Sequence, residues 1–107
     1  MKTKFVSLKP ISVNRCWQGR RFKTKEYDSW IELGLYLLPK VKMHKGEISI
    51  RLSFFVKNAK RSDLDNMIKP TLDLLVKGGW IEDDRFIYNL VATKNQSEEE
   101  GIEIEIY

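Results

Sequence analysis

The segment from 47 to 57 restricts the fold of this chain most strongly. Apolar residues occupy every second position there, and the set comprises Ile48, Ile50, Leu52, Phe54 and Val56. A period of two predicts a β-strand that buries one face and exposes the other. Because the chain has 107 residues, it is long enough for a single domain over residues 1–107 with a hydrophobic core of its own. Helices are then expected to cover the buried face of the sheet.

Periodicity elsewhere completes the predicted fold. Strands are expected at Lys2–Leu8, Glu47–Lys57, Phe86–Lys94 and Gly101–Tyr107, and helices at Tyr27–Leu38 and from about Asn66–Met67 onward. Pro70 sets the start of the second helix, because proline is tolerated in a first turn. Residues 10–26 show no period and predict a long loop. The order β-α-β-α-β-β indicates an α+β domain, in which two helices pack on a mixed four-stranded sheet.

Charge is distributed unevenly along the sequence. Residues 1–62 hold fifteen Lys and Arg against four Asp and Glu, whereas residues 63–107 hold four against eleven, within an overall net charge of +4. A basic half beside an acidic half suits a protein that binds a polyanion with one surface and cations with another. Solvated lysines on an ordinary soluble surface would give a similar composition. Charge alone therefore leaves nucleic-acid binding open.

The single cysteine and the N-terminal residues indicate the cellular compartment of the protein. Cys16 is the only cysteine of the sequence, so an internal disulfide is excluded, which suits a reducing compartment. The N-terminus lacks the long apolar run of a signal peptide or a membrane-spanning helix. We therefore expect a cytoplasmic protein that has no membrane segment.

Four aspartates and a lysine flank the second predicted helix. Asp63 and Asp65 stand at its start, Lys69 lies one turn inside, and Asp83 and Asp84 follow a pair of glycines. If the chain reverses at the glycines, both acidic pairs meet, and such a gathering of like charges requires a cation. Mg²⁺ prefers carboxylate oxygens and keeps several waters, one of which can attack phosphorus. The pattern favours a metal-dependent phosphodiesterase.

The same residues also have a purely structural explanation. Aspartates at a helix start cap its free N–H groups, which contributes about 1 kcal/mol. Asp65, Lys69 and Asp73 are spaced by four, which suits a salt-bridge stripe on a helix surface. The Asp83–Asp84 doublet suits an exposed turn. Spacing alone does not decide between the two explanations.

The central motif resembles the RusA family of Holliday-junction resolvases. The resemblance rests on the run Asp-Leu-Asp-Asn, a lysine shortly after it and a later Asp-Asp doublet. It implies Mg²⁺ as the cofactor, with Mn²⁺ as a substitute, and no small-molecule cofactor. The implied catalytic residues are Asp63, Asp65, Lys69 and Asp84, the implied metal ligands are Asp63, Asp65 and Asp84, and the implied accessory residues are Asp83 and Asn66.

A looser similarity to the same family lies near the N-terminus, in the segment Pro10-Ile-Ser-Val-Asn14-Arg15. The resemblance implies a RusA-like mixed-sheet fold and a homodimer that binds four-way DNA junctions. It further implies that paired symmetrical nicks resolve those junctions in DNA recombination and repair. Proteins of this kind are often carried by prophages and act at the nucleoid of a bacterial or phage-infected cell. A nuclease for other branched DNA (flaps, forks) and a non-cleaving branched-DNA-binding module are the alternatives.

Basic residues of the predicted loop, and of the link before the acidic motif, are candidates for phosphate binding. Trp17 and Phe22 are interleaved with them, and such rings either stack on bases or pack under the loop. The predicted DNA-binding residues are Asn14, Arg15, Arg20, Arg21, Lys23, Lys25, Lys60 and Arg61.

Overall fold

The computed structural model describes residues 3–18 and 22–107. In chain order, its helices and strands are β1 (Lys4–Val6), β2 (Trp17–Gln18), β3 (Phe22–Lys23), α1 (Lys25–Leu37), β4 (Ile48–Val56), α2 (Leu64–Lys77), β5 (Ile87–Gln96) and β6 (Gly101–Ile106). Short 3₁₀ turns occupy Val13–Arg15, Ala59–Arg61 and Asp84–Phe86. No helix within these residues has the length and apolar character that a membrane crossing needs.

The main sheet is mixed and has four strands in the order β1-β6-β4-β5. β6 runs antiparallel to β1 and to β4, whereas β5 runs parallel to β4. A parallel pair needs a long crossover connection, and α2 supplies it. The sheet and its two helices confirm the predicted α+β fold. The short antiparallel pair β2–β3 was not predicted, because strands of two residues carry no periodic signal.

The apolar face of β4 lies at the centre of the core. Ile50, Leu52 and Phe54 are completely buried, and the alternate isoleucines of the neighbouring β6 continue the same face. The intervening residues of β4 point to the other side of the sheet, where Arg51 is exposed and Phe55 is half-buried. The prediction of a strand with one buried face is confirmed.

α1 packs closely on α2 at a glycine. A Cβ atom at Gly34 would lie 2.7 Å from Leu74 Cδ2, closer than carbon atoms approach without a shift of the neighbour. α1 also buries Trp30, whose indole N–H donates to the Lys9 carbonyl at 2.6 Å. These contacts hold α1 between α2 and the segment that follows β1.

The start of α2 differs from the prediction. The helix begins at Leu64 rather than at Asn66, so that Pro70 lies in its second turn. Proline has no N–H, and the Asn66 carbonyl therefore loses its helical donor. The helix accepts this loss because Pro70 is buried, and burial of its apolar ring is favourable. Asp65 consequently belongs to the first turn of α2 and not to an extended segment before it.

Candidate active site

The segment between β4 and α2 is held against the end of β5. The Gln96 side chain donates to the Lys57 carbonyl and accepts, at 3.0 Å, from the first backbone N–H of the 3₁₀ turn Ala59–Arg61. Lys94 Nζ donates to the Ser62 carbonyl at 2.9 Å. These bonds fix the backbone immediately before the first aspartate of the acidic motif.

Asp63 and Asp65 project from the start of α2. Asp63 is the N-cap residue, yet its carboxylate accepts no backbone N–H of the helix and instead receives the Asn66 side-chain amide at 3.3 Å. The Asp65 side chain is exposed and makes no hydrogen bond or ion pair among residues 3–18 and 22–107. The capping explanation is therefore wrong for the Asp63 side chain. Both carboxylates are accessible to a cation.

The chain reverses after α2 at Gly78 and Gly79, as predicted. The Trp80 N–H donates to the Leu75 carbonyl at 2.9 Å, and the Gly79 N–H donates to the Val76 carbonyl at 3.1 Å. This is the Schellman pattern of helix termination. It depends on a left-handed residue, which Gly79 provides at φ +75°. Trp80 and Ile81 are then buried and anchor the returning chain.

Asp84 meets Lys69 after this reversal. Lys69 Nζ lies 2.5 Å from Asp84 Oδ2 and 3.0 Å from Asp73 Oδ1, so that one ammonium bridges two carboxylates. The salt-bridge stripe suggested by the spacing of four is thus formed only between Lys69 and Asp73. The second partner of Lys69 is not Asp65 but a residue from a later part of the chain.

The protonation states of this cluster follow from its hydrogen bonds. The bond from Lys69 holds the pKa of Asp84 below its ordinary value. Asp83 lies 3.8 Å from Arg85 Nε. The bonds to Asp84 and Asp73 raise the pKa of Lys69 against the opposing effect of partial burial. Near neutral pH, Asp84 is therefore a carboxylate and Lys69 an ammonium.

Asp73 connects the cluster to the core. Its other oxygen, Oδ2, accepts from the Tyr27 hydroxyl at 3.3 Å. Tyr27 is buried, and its ring stacks on Trp30 with the centroids 6.4 Å apart. The sequence indicated Asp73 only as a surface partner of Lys69 and did not indicate Tyr27. The spacing of four is a signal for the first contact, whereas a contact between two helices leaves no local signal.

A groove of about 790 Å³ opens beside the start of α2. Asp63 and Asn66 lie in its lining, and Arg15 contributes from the 3₁₀ turn Val13–Arg15, where it also pairs with Glu26 at 3.4 Å. Such a groove beside the acidic motif suits a segment of a polyanion. Its basic side chains are Lys9, Arg15, Lys57 and Arg61.

Comparison with known proteins agrees with the central motif. A family profile described as Endodeoxyribonuclease RusA matches residues 12–107. The chain belongs to the RusA family. It is also 29% identical over 94 residues to Crossover junction endodeoxyribonuclease RusA of Aquifex aeolicus (strain VF5), a similarity that covers 82% of this chain and 73% of the relative.

The acidic residues of the RusA motif offer oxygen donors of the kind that Mg²⁺ prefers. In the part of the chain that the structure describes, no three His, Cys, Asp or Glu side chains are already grouped around one point. Asp65 lies one helical turn, about 6 Å along the axis, from Lys69, and Asp84 is bonded to Lys69. The donor chemistry of these carboxylates fits a hard divalent cation.

The predicted DNA-binding residues of this RusA domain fall into three groups. Those that line the groove are Asn14, Arg15 and Arg61. Lys25 and Lys60 are exposed outside its lining. The predictions that lie outside the described residues or side chains are Arg20, Arg21, Lys23, Trp17 and Phe22. Lys9 also lines the groove and was not predicted, because an isolated lysine after a strand carries no pattern.

Proposed function

We propose that this RusA-family protein is a Mg²⁺-dependent, structure-selective endodeoxyribonuclease that resolves Holliday junctions by paired symmetrical nicks in DNA recombination and repair. The contact between Lys69 and Asp84 carries the proposal, because it brings the two halves of the acidic motif to one side of α2. The name of the Aquifex aeolicus relative, a crossover junction endodeoxyribonuclease, supports the choice of substrate.

Three carboxylates would hold the cation, those of Asp63, Asp65 and Asp84, and Mn²⁺ would substitute for Mg²⁺ because it also accepts oxygen ligands. When bound, the ion would supply a Lewis acid for a phosphoryl oxygen and lower the pKa of the attacking water. The Asn66 side chain orients the Asp63 carboxylate through its amide. Asp83, which lies 3.8 Å from Arg85 Nε beside Asp84, would have an accessory role.

Lys69 would act through its positive charge. Because Asp84 and Asp73 raise its pKa, it stays protonated near neutral pH and is unsuited to the role of general base. Its side chain is 57% exposed, so a phosphate group can approach the ammonium from solvent. There it would stabilise negative charge that develops on the phosphate oxygens in the transition state.

The groove beside α2 would hold a DNA strand next to Asp63. Arg61 and Lys57 lie in that lining together with the carboxylate, so backbone phosphates bound there would place a neighbouring phosphodiester at the acidic motif. Paired nicks in one junction require two active sites, which a homodimer would provide. The proposed partners are therefore four-way DNA and a second copy of this chain.

Salt dependence tests the proposed DNA contact. We expect the junction-binding constant to fall steeply with salt, because several phosphates release counterions on binding. Arg61→Ala should reduce the slope of log K against log salt by about one. Lys45→Ala is the matched control, since Lys45 is an exposed lysine outside the groove. A binding constant that does not change from low to moderate salt would contradict the contact.

Incubation of a synthetic four-way junction with and without Mg²⁺ tests the activity itself. Symmetrical paired nicks that require Mg²⁺ are the expected result. Cleavage of flaps or forks without cleavage of the junction would instead identify a nuclease for other branched DNA. A gel shift with no cleavage in Mg²⁺ or Mn²⁺ would identify a binding module.

Asp84→Asn separates cleavage from binding. The variant should lose cleavage and keep or strengthen its affinity for the junction, because it removes a proposed metal ligand and a negative charge near phosphate. Glu82→Gln, two residues earlier, is the control of equal charge change; its carboxylate accepts from the Gly46 N–H at 2.9 Å, away from Lys69. Cleavage by Asp84→Asn at the native rate would show that the assignment of Asp84 is wrong.

A further inference from the structure

Asp73 divides its two carboxylate oxygens between the acidic cluster and the core. Oδ1 lies 3.0 Å from Lys69 Nζ, and Oδ2 accepts from the Tyr27 hydroxyl at 3.3 Å. Asp73 is not part of the run Asp-Leu-Asp-Asn or of the later doublet. Its contacts therefore need an explanation that the metal ligands do not supply.

Lys69 is held from two sides. On one side stands Asp84, a proposed metal ligand for whose carboxylate a divalent cation would compete with the ammonium. A lysine side chain is flexible and loses much rotamer freedom when it is ordered, and a neighbouring dication repels its ammonium. A second anchor would keep Lys69 at the site while the cation competes for Asp84.

We propose that Asp73, fixed by Tyr27, is a positioning residue that keeps the Lys69 ammonium at the site when Asp84 binds a metal ion. The inference rests on the proposed role of Asp84 as a metal ligand. It assigns no contact with DNA to Asp73, which acts only through Lys69.

Tyr27 is a rigid support for Asp73. Its side chain is buried and stacked on Trp30, and its backbone N–H donates to Thr24 Oγ1 at 3.1 Å in the N-cap of α1. A buried ring with these contacts moves little, so the hydroxyl defines where the Asp73 carboxylate lies. The carboxylate in turn defines the position of the ammonium.

The space beside these residues is too small for a nucleotide. Lys69, Asp73 and Tyr27 border a cavity of about 50 Å³ together with Cys16, whereas sites for drug-sized ligands have roughly 300–1,000 Å³. The contacts of Asp73 are therefore better explained by support of the lysine than by a nucleotide site.

Side-chain NMR of ¹⁵N-labelled protein tests whether Asp73 holds Lys69. The Lys69 ammonium resonance, assigned with Lys69→Arg, should remain visible in the wild type after addition of saturating Mg²⁺. In Asp73→Asn, Mg²⁺ should weaken it severalfold, because the ammonium then exchanges freely with water. Glu32→Gln, an exposed acid on α1, removes the same charge and should behave like the wild type.

The backbone amides of Asp65 and Asp84 report in the same spectra whether Mg²⁺ binds. Shifts at both, together with a Lys69 resonance that persists in Asp73→Asn, would overturn the role of Asp73 and leave the proposed function intact. No shift at either amide would overturn the metal site, and with it the need for a second anchor of Lys69.

Cleavage kinetics provide an independent measurement. Asp73→Asn should lower kcat by about tenfold to a hundredfold with KM unchanged, as expected for a misplaced catalytic group. Tyr27→Phe, which keeps the ring and removes only the hydroxyl, should cause a smaller fall in the same direction, and Asp73→Glu should restore part of kcat. A native kcat in both Asp73→Asn and Tyr27→Phe, or a change confined to KM, would overturn the proposal.

Discussion

The aspartates at the first turn of α2 have no basic partner in the described part of the chain, whereas those at the following turn, which carries Lys69, are paired with an ammonium. In the first turn, Asp63 and Asp65 stand near solvent, and neither pairs with a basic side chain of the described residues. In the next turn, the Lys69 ammonium bridges Asp84 and Asp73. One half of the motif lacks a positive charge, and the other half already contains one.

This difference suits the cation site that we propose at this helix. The helix dipole favours carboxylates at the N-terminus by about 0.3–1 kcal/mol each, and water solvates the exposed Asp63 and Asp65, so neither needs a basic partner. Asp84 arrives from a separate segment and would face like charges, but Lys69 neutralises it. A divalent cation would therefore meet no competing charge of the described residues at Asp63 and Asp65, but it would compete with the Lys69 ammonium for Asp84.

The largest expected effect is a loss of DNA cleavage when an aspartate of the first turn is replaced. Asp65→Asn should lower cleavage at least about a hundredfold, since even residues behind a metal ligand typically cost 10–100-fold. Asp28→Asn is the matched control, because Asp28 is likewise an acidic residue in the first turn of a helix. Both variants should lose a similar 0.3–1 kcal/mol or so of stability in urea unfolding. Equal cleavage by the two variants would contradict a special role for Asp65.

The next effect concerns competition between Mg²⁺ and the Lys69 ammonium at the second turn. Mg²⁺ at ten times its Kd should stabilise the wild type by about 1.4 kcal/mol, measured by thermal unfolding. Lys69→Met should bind Mg²⁺ about fivefold more tightly, because a competing positive charge worth about 1 kcal/mol in water is removed, although it should not cleave DNA. Weaker Mg²⁺ binding by Lys69→Met would show that the ammonium and the metal do not compete.

Acid pH should reveal the Lys69–Asp84 pair as a small contribution to stability. The pKa of Asp84 is lowered in the folded protein, so its contribution is present above the ordinary aspartate pKa of about 3.9 and disappears as pH falls through the lowered value. Lys69 has a raised pKa, so its contribution persists below about 10.4 and is lost at higher pH.

Because Lys69 is more than half exposed, this contribution should remain below about 1 kcal/mol. Urea unfolding of the wild type and of Lys69→Met should show a difference that is constant at neutral pH and shrinks below pH ~4. A difference that does not change down to strongly acid pH would exclude the pair as its source.

The smallest expected effect is a shift in the pKa of Cys16, which senses the charge of Asp73 at the second turn. Burial, followed by the charges of Asp73 and Glu26, raises the pKa of Cys16 to about 11. Asp73→Asn should therefore lower this pKa slightly, whereas Asp65→Asn in the first turn should leave it unchanged. Because the thiol is buried, the pH dependence of the Cys16 Cβ chemical shift in NMR spectra measures both. An equal shift in the two variants would mean that the turns are not electrostatically separate.

Local pattern was sufficient for much of the fold. The alternation from 47 to 57 predicted β4 and its buried face, and the positions of apolar residues predicted two helices on a mixed sheet. The glycine pair predicted the reversal after α2, because Gly79 alone meets the left-handed requirement of that turn at low cost. These features depend on residues that are close in sequence.

The sequence by itself determined the order of the two helices and of the four strands of the main sheet, the single buried face of that sheet and the presence of acidic residues at both ends of one helix. Only the tertiary structure decided that Lys69 pairs with Asp84 rather than Asp65, that Tyr27 supports Asp73, and that α2 begins at Leu64 despite Pro70. The physical reason is that periodicity reports which side of an element is buried, whereas the partner of a charged side chain depends on which distant segments the core brings within hydrogen-bonding distance.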